Sequence, residues 1–244
     1  MTALEQPARM PSSGSERRAP SWARQAALVL GKDLSIEIST GEVVVTGGFF
    51  ALLVVVMASL AFYTGPASRA LVAAGVIWLS VAFAAVLALG RSWQREREES
   101  ALEGLLVAPV SRSALFAGKA LGLLAFLFAI EIVVVPAAAV LFAIDLVRYG
   151  PGLGLIAVLA TPGVAAAGTL FGAMTVRTLA RDLILAVVLF PLLSPTLLSA
   201  VAATRQLLGG AGLDELGDFL QLMAVFDVTF IAGGLGLFGT LIEN

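Results

Sequence analysis

The chain has neither cysteine nor histidine in its 244 residues. Without cysteine there is no disulfide, no thiolate nucleophile and no sulfur-based metal site. Without histidine the commonest general base and metal ligand is gone, and no Ser–His or Cys–His nucleophile pair can form. Charge is also scarce. Asp, Glu, Lys and Arg make up 13% of the residues, against about 25% in soluble domains. A water-facing surface cannot be built from so few charges, and a nucleic-acid reader would need a basic face. Most enzyme classes and all soluble globules are excluded on these absences alone.

What remains is apolar residue, 59% of the chain, gathered into long runs. Residues 43–63, 70–90, 153–176 and 183–203 carry no charge. Segment 120–142 has one internal charge, Glu131, and segment 219–242 has one, Asp227. A helix of about 20 residues crosses the hydrocarbon core of a bilayer. The expected fold is therefore all-α, a polytopic membrane protein of six transmembrane helices within a single domain, 21–244. Residues 1–20, rich in Pro, Ser, Ala and Arg, read as a flexible leader without the apolar core of a signal peptide.

Orientation follows from the cations. Arg9, Arg17, Arg18, Arg24 and Lys32 precede the first span; Arg91, Arg95, Arg97, Arg112 and Lys119 lie between the second and third; Arg177 and Arg181 lie between the fourth and fifth. Only Arg69, Arg148 and Arg205 fall on the opposite side. Lysine and arginine collect on the cytoplasmic side, which predicts both termini and the 91–119 loop in the cytoplasm.

Between the leader and the first span, residues 22–40 are partly amphipathic. Trp22, Ala26, Leu30, Leu34 and Ile38 share one side, yet Asp33 and Glu37 interrupt the apolar stripe and Lys32 lies opposite. An interfacial helix accounts for this as well as a soluble one does. In the 91–119 loop, Arg95 and Glu99 are spaced as an i,i+4 pair, with Leu102, Leu105 and Leu106 behind them. Pro109 stops that helix, and Ser111 or Ser113 can cap the next. The loop is either a solvated segment lying on lipid or a docking helix for a cytoplasmic partner.

No P-loop is present: Gly31-Lys32 and Gly118-Lys119 lack the upstream glycine and the following Ser or Thr. A literal G-x-G-x-x-G at Gly234, Gly236 and Gly239 sits inside a membrane segment, with no room for a βαβ unit. It reads as a close-packing face, as do Gly168 and Gly172. Glu131 lies mid-span and Pro136 follows five residues on. A carboxyl in that position is either functional or a packing hydrogen bond, and Asp227 poses the same alternative. The acidic stretch 207–219, with Asp214, Glu215 and Asp218, can start a short helix but matches no calcium loop.

Taken together, LGKDLSIE at 30–37, GRSWQREREESALEGLLVAPVSRSALFAGKALG at 90–122, GTLFGAMTVRTLARD at 168–182, FPLLSPTLLSAVAATRQLL at 190–208 and AVFD at 224–227 resemble the cytochrome c maturation protein B family. That family is the membrane subunit of an ABC-type haem exporter, and the resemblance implies either passage of haem through this subunit or ATP-driven release of a loaded periplasmic haem chaperone. The resemblance implies an ABC-2-type permease that is not itself an enzyme, working as a homodimer in the bacterial inner membrane. Hydrolysis of ATP with magnesium would fall to a cytoplasmic ABC ATPase partner. Other partners would be a haem-handling membrane protein and a periplasmic haem chaperone, with the lipid bilayer around them and no nucleic acid. Residues 22–40, with Trp22, Lys32, Asp33 and Glu37, would be the elbow helix. The ATPase-coupling segment would comprise Arg95, Glu96, Arg97, Glu98, Glu99, Leu102, Glu103, Leu105, Leu106, Pro109, Ser111 and Arg112. No cofactor or metal is expected on the chain itself: haem is handled by the complex, and with no histidine direct ligation is not anticipated, Tyr63 and Tyr149 reading as interfacial aromatics. Rival readings are a permease for another cargo, a scaffold for the ATPase, and a proton-coupled transporter using Glu131.

Overall fold

The computed structural model describes residues 20–62, 65–98, 110–175 and 181–243. The described residues form seven α-helices and one 3-10 turn, without strands. They are α1 (Trp22–Thr40), α2 (Glu42–Ala61), α3 (Pro66–Glu98), α4 (Arg112–Phe142), α5 (Leu146–Thr175), α6 (Arg181–Leu208) and α7 (Gly217–Glu243), the turn at Leu213–Leu216 preceding α7. Helices α2 to α7 each contain a stretch long and apolar enough to cross a membrane. The chain is a polytopic membrane protein with α1 as its additional helix.

Helix length exceeds hydrocarbon length at one side of the bundle. Helix α3 runs on past the uncharged stretch through Arg91 to Glu98, and α4 begins at Arg112, well before its apolar run. The 91–119 loop therefore stands on two helical legs. Arg95, Glu96, Arg97 and Glu98 ride on the last turn of α3; Glu99, Leu102, Glu103, Leu105, Leu106 and Pro109 lie outside the described residues, as does Tyr63. Ser111 caps α4, its hydroxyl accepting from the Ala114 N–H at 3.3 Å. The prolines at 136, 151, 162, 191 and 195 all lie within continuous helices.

Helices α3 and α5 are the most enclosed spans, while α2 and α7 turn much of their surface outward. Lipid is as apolar as leucine, so close backbone approach by small residues does the packing. Helix α5 carries Val164, Ala165, Ala166 and Ala167 fully buried, and α3 answers with Ala84, Ala85 and Ala88. Gly168 lies against Leu89 and Gly172 against the Trp93 indole, so this G-x-x-x-G seats α5 on α3. Gly234 admits the Phe116 ring between α7 and α4, whereas Gly233 and Gly236 touch nothing. Of the glycine run, only Gly234 and Gly239, which faces Arg112, pack against another helix. Buried side chains form two clusters, one beside α1 that includes Trp93, Phe116 and Phe238, the other beyond it around Trp78, Ile130 and Met223.

Helix α1 is seated on α4. Trp22 lies at Ser113, Val29 at Gly118 and Asp33 at Gly122, so the two helices run in the same direction. At Gly118 a Cβ would lie 2.6 Å from Val29 Cβ and 2.7 Å from the Ala26 carbonyl oxygen. Gly118→Leu is expected to cost about 2 kcal/mol by overpacking and to lower the melting temperature of the detergent-solubilised protein. Gly122→Ala, whose nearest neighbour would be at 3.6 Å, is expected to leave it unchanged. Equal melting of wild type and Gly118→Leu would show that α1 does not depend on this contact.

Candidate functional site: the elbow clamp and the intramembrane carboxyls

Among the described residues at the α1 end of the bundle, Asp33, Glu37 and Lys119 each reach a partner on another helix. Asp33, which spoils the stripe of α1, is buried against α4. Lys119 Nζ donates to Asp33 Oδ1 at 3.3 Å and stands 3.1 Å from Oδ2. Lys32 approaches the same Oδ1 at 3.2 Å from the solvent side. Lys119 also lies over the Trp93 ring of α3, 5.5 Å from its centroid, a cation–π placement that ties a third helix to the pair. Its side chain is only 3% exposed. A lone ammonium that deeply buried would be costly, and the carboxylate and the indole face offset that cost.

Glu37 does a different job. Helix α1 ends at Gly41, whose φ of +63° is left-handed and suits glycine. Helix α2 begins immediately, with unsatisfied N–H groups on its first turn. Glu37 reaches forward to them: Oε1 accepts from Val44 at 2.8 Å and Oε2 from Val43 at 3.2 Å. A carboxylate is well placed at a helix N-terminus, where the backbone dipole is positive. The two helices thus meet as one broken rod lying along α4.

The clamp extends to both legs of the 91–119 segment. On α3, Arg91 pairs with Glu42 of α2 at 2.8 Å. On α4, the Ser111 N–H donates to Gln25 Oε1 at 2.8 Å while Gln25 Nε2 donates to the Pro20 carbonyl at 2.7 Å. Trp22 Nε1 donates to Ser113 Oγ at 3.0 Å. Of the elbow residues read from the sequence, Trp22, Lys32, Asp33 and Glu37 come together with α4 and α2. Arg112 is half-buried at the start of α4, facing Gly239 of α7. Sequence reasoning did not single out Gln25, Glu42, Arg91, Trp93 or Lys119 as members of one site. Their partners are distant in sequence, and only the mixture of charge and tryptophan in 91–93 hinted at them.

The two intramembrane carboxyls are each seated against α5. Glu131 Oε1 accepts from Thr161 Oγ1 at 2.7 Å, and its other oxygen is buried without a hydrogen bond. Asp227 packs onto Gly163, where a Cβ would overlap Oδ1; that oxygen is likewise buried and unbonded. Thr161 and Gly163 are two residues apart, about 200° around a helix, so the carboxyls approach α5 from different sides. Among the described residues no group of Asp and Glu could hold a metal ion.

A family model described as CcmB protein matches residues 24–236. Heme exporter protein B of Rhodobacter capsulatus is 31% identical over 193 residues, covering 76% of this chain and 84% of that protein. Heme exporter protein B of Bradyrhizobium diazoefficiens is 28% identical over 181 residues, covering 73% of this chain and 80% of that protein.

The Asp33–Lys119 pair makes a double-mutant cycle informative. Lys119→Met leaves Asp33 buried and short of its main cation, at a cost of about 3 kcal/mol, read as a marked fall in melting temperature. Asp33→Asn combined with Lys119→Met is expected to recover a large part of that loss. Additive losses in the double variant would mean that the two side chains act independently.

Proposed function

The chain belongs to the CcmB family, and from that premise we propose that it is the membrane subunit of an ATP-driven, ABC-type complex acting in haem export for cytochrome c maturation. The observation that carries this reading is the family match over residues 24–236, joined by two relatives named heme exporter protein B. The complex lies in the bacterial inner membrane, with both termini on the cytoplasmic side as the cation distribution argues. ATP is hydrolysed by a separate cytoplasmic subunit. This chain, lacking a P-loop, converts the partner's motion into rearrangement of its spans. Two copies pair within the complex, alongside a haem-handling membrane protein and a periplasmic haem chaperone. Haem is handled by the complex; the lack of His here favours ATP-driven release of a loaded haem chaperone over passage of haem through this subunit.

The polar clamp gives the coupling a physical route. A docked ATPase pushes on residues 95–106, which are carried by α3 at one end and joined to α4 at the other. The α4 leg is fixed to the elbow through Ser111, Ser113 and Lys119, and the α3 leg to the start of α2 through Arg91–Glu42. Displacement of the loop then moves α1, and through the Glu37 cap it moves α2. Long side chains with buried partners transmit position better than an exposed loop, because their geometry is set by several bonds at once.

Two experiments test the reading. Leu105→Asp with Leu106→Asp is expected to abolish co-purification of the ATPase subunit while leaving membrane insertion intact; normal association would remove the docking role of the loop. Glu131→Gln retains an oxygen for the Thr161 hydroxyl and should preserve cytochrome c maturation within about twofold, a difference below 0.5 kcal/mol. Loss of function with normal folding would favour the proton-coupled transporter instead.

A further inference from the structure

Beside Trp22 a groove opens between α4 and α7, with α5 as part of its floor, and encloses about 200 Å³. Its base is made of small residues, Ala117 and Ala120 of α4 and Pro162, Ala165 and Ala166 of α5. Leu121, Ile231 and Leu235 stand at the lips, 46%, 40% and 39% exposed. Trp22 and Phe116 close the end nearest the start of α1, the Phe116 ring resting in the space left by Gly234. Along α4 the groove runs from Phe116 to Leu124, about 12 Å or two helical turns. One wall belongs to α7, the least enclosed of the six spans.

The far end of the groove is short of hydrogen-bond donors. Pro162 has no N–H, so it gives nothing to the carbonyl of Val158 one turn earlier. Val158, 57% exposed, shares a stripe of α5 with Pro162, Ala165 and Ala166. Asp227 stands one turn before Ile231 on α7, at the edge between the buried face of that helix and the groove wall. It is only 8% exposed, and its Oδ1, laid over Gly163, accepts no hydrogen bond. The lining side chains offer one donor, the Trp22 indole N–H, and Ser113 takes it.

We propose that this groove seats a membrane-spanning helix from a different subunit of the complex, one that sets a hydroxyl or amide donor against Asp227 Oδ1. The inference rests on the reading above that the chain works beside other membrane proteins. A volume of about 200 Å³ is below the range of small-molecule sites, about 300–1,000 Å³. It suits a ridge of side chains from one face of a helix better than a whole ligand. A base of alanines lets a second backbone come close, which is how helices associate in lipid. An acyl chain fits the same trough but brings no donor, and leaves the Asp227 oxygen bare. A second copy of this chain fits less well. In a two-fold pair the groove would meet itself, hollow against hollow, with acceptors on both sides and no free donor in the lining.

The test places a photoactivatable benzophenone side chain in the full chain, in native membranes, at one of two positions. One is Ile231, at the lip; the other is Val225, two residues from Asp227 and exposed on another side of α7. Ile231 is expected to cross-link to a membrane protein other than this chain, on a spanning helix and within one turn of a hydroxyl or amide side chain; Val225 should do so far less. Asp227→Ala should cut the Ile231 yield about fivefold, the size of one polar contact between helices in lipid. Asp227→Asn keeps an acceptor oxygen and should keep most of the yield. Ala120→Phe fills the groove from α4 and should remove the cross-link while the isolated chain keeps its melting temperature. Cross-links from Ile231 to lipid alone or to a second copy overturn the proposal, as does a yield indifferent to Asp227→Ala and Ala120→Phe. If the ATPase and other subunits co-purify while Ile231 stays uncross-linked, the groove assignment fails and the proposed function stands; absence of every partner removes both.

Discussion

In hydrocarbon there is no water to satisfy a peptide group, so each N–H and C=O that enters the bilayer must find its partner within the chain. Helices meet that demand along their length but not at their ends. In this protein the ends are therefore where the polar side chains stand. Glu37 supplies the first turn of α2, Ser111 the first turn of α4, Asp145 that of α5. At the outer 3-10 turn Glu215 does the same for Gly212. The break at Gly41 is the most demanding of these, because α1 and α2 meet there without a loop. A carboxylate reaching across the break lets one helix stop and another start without leaving donors bare. The broken rod, and the position of the first span relative to the elbow, follow from that contact.

The same solvent removes the ordinary reason for helices to associate, since lipid tails compete equally with leucine for an apolar face. Association then rests on small residues that let backbones close, and on a few polar contacts. The Gly168 and Gly172 seat on α3, and the alanines at 165–167, serve the first purpose. The clamp around Asp33 and Lys119 serves the second. Its members come from α1, α3 and α4, the three elements that flank the 91–119 segment and must move together if a partner pushes on that segment. Concentrating the charges there leaves the rest of the bundle nearly free of them, which is what permits it to be a membrane protein at all.

Six spans were legible because charge-free length is a direct reading of bilayer thickness. The clamp was legible only as a fault: Asp33 and Glu37 visibly break the apolar stripe of 22–40, but a stripe says nothing about which residue elsewhere compensates. Lys119 was the harder case. In sequence it closes a charged loop and counts toward the positive-inside rule; in the fold it is one of the most buried charges, because α4 starts seven residues earlier, at Arg112. Helices extend past their apolar runs wherever other helices cover them, and hydropathy has no knowledge of that cover. The groove between α4 and α7 was invisible for a related reason. Ala120, Ala165 and Ile231 lie far apart in the chain, and nothing local to any of them marks them as neighbours of one space.

Glu131 and Asp227 show how the fold narrows what a sequence leaves open. Two carboxyls in membrane segments suggest a shared proton site, as in paired acids whose charges compete. Their placement argues against a pair. Thr161 holds Glu131 from α4, Gly163 holds Asp227 from α7, and the turn of α5 between those two positions sets the carboxyls on different sides. Each joins one neighbour to α5. A Thr hydroxyl is a neutral donor that a buried carboxyl can accept from in either protonation state, and a glycine offers room rather than charge. Positions built for ion passage would be expected to face a common, polar space. These face α5 separately, at the level of Pro162, and the economical account is that they fix the register of α4 and α7 against the most enclosed helix of the bundle.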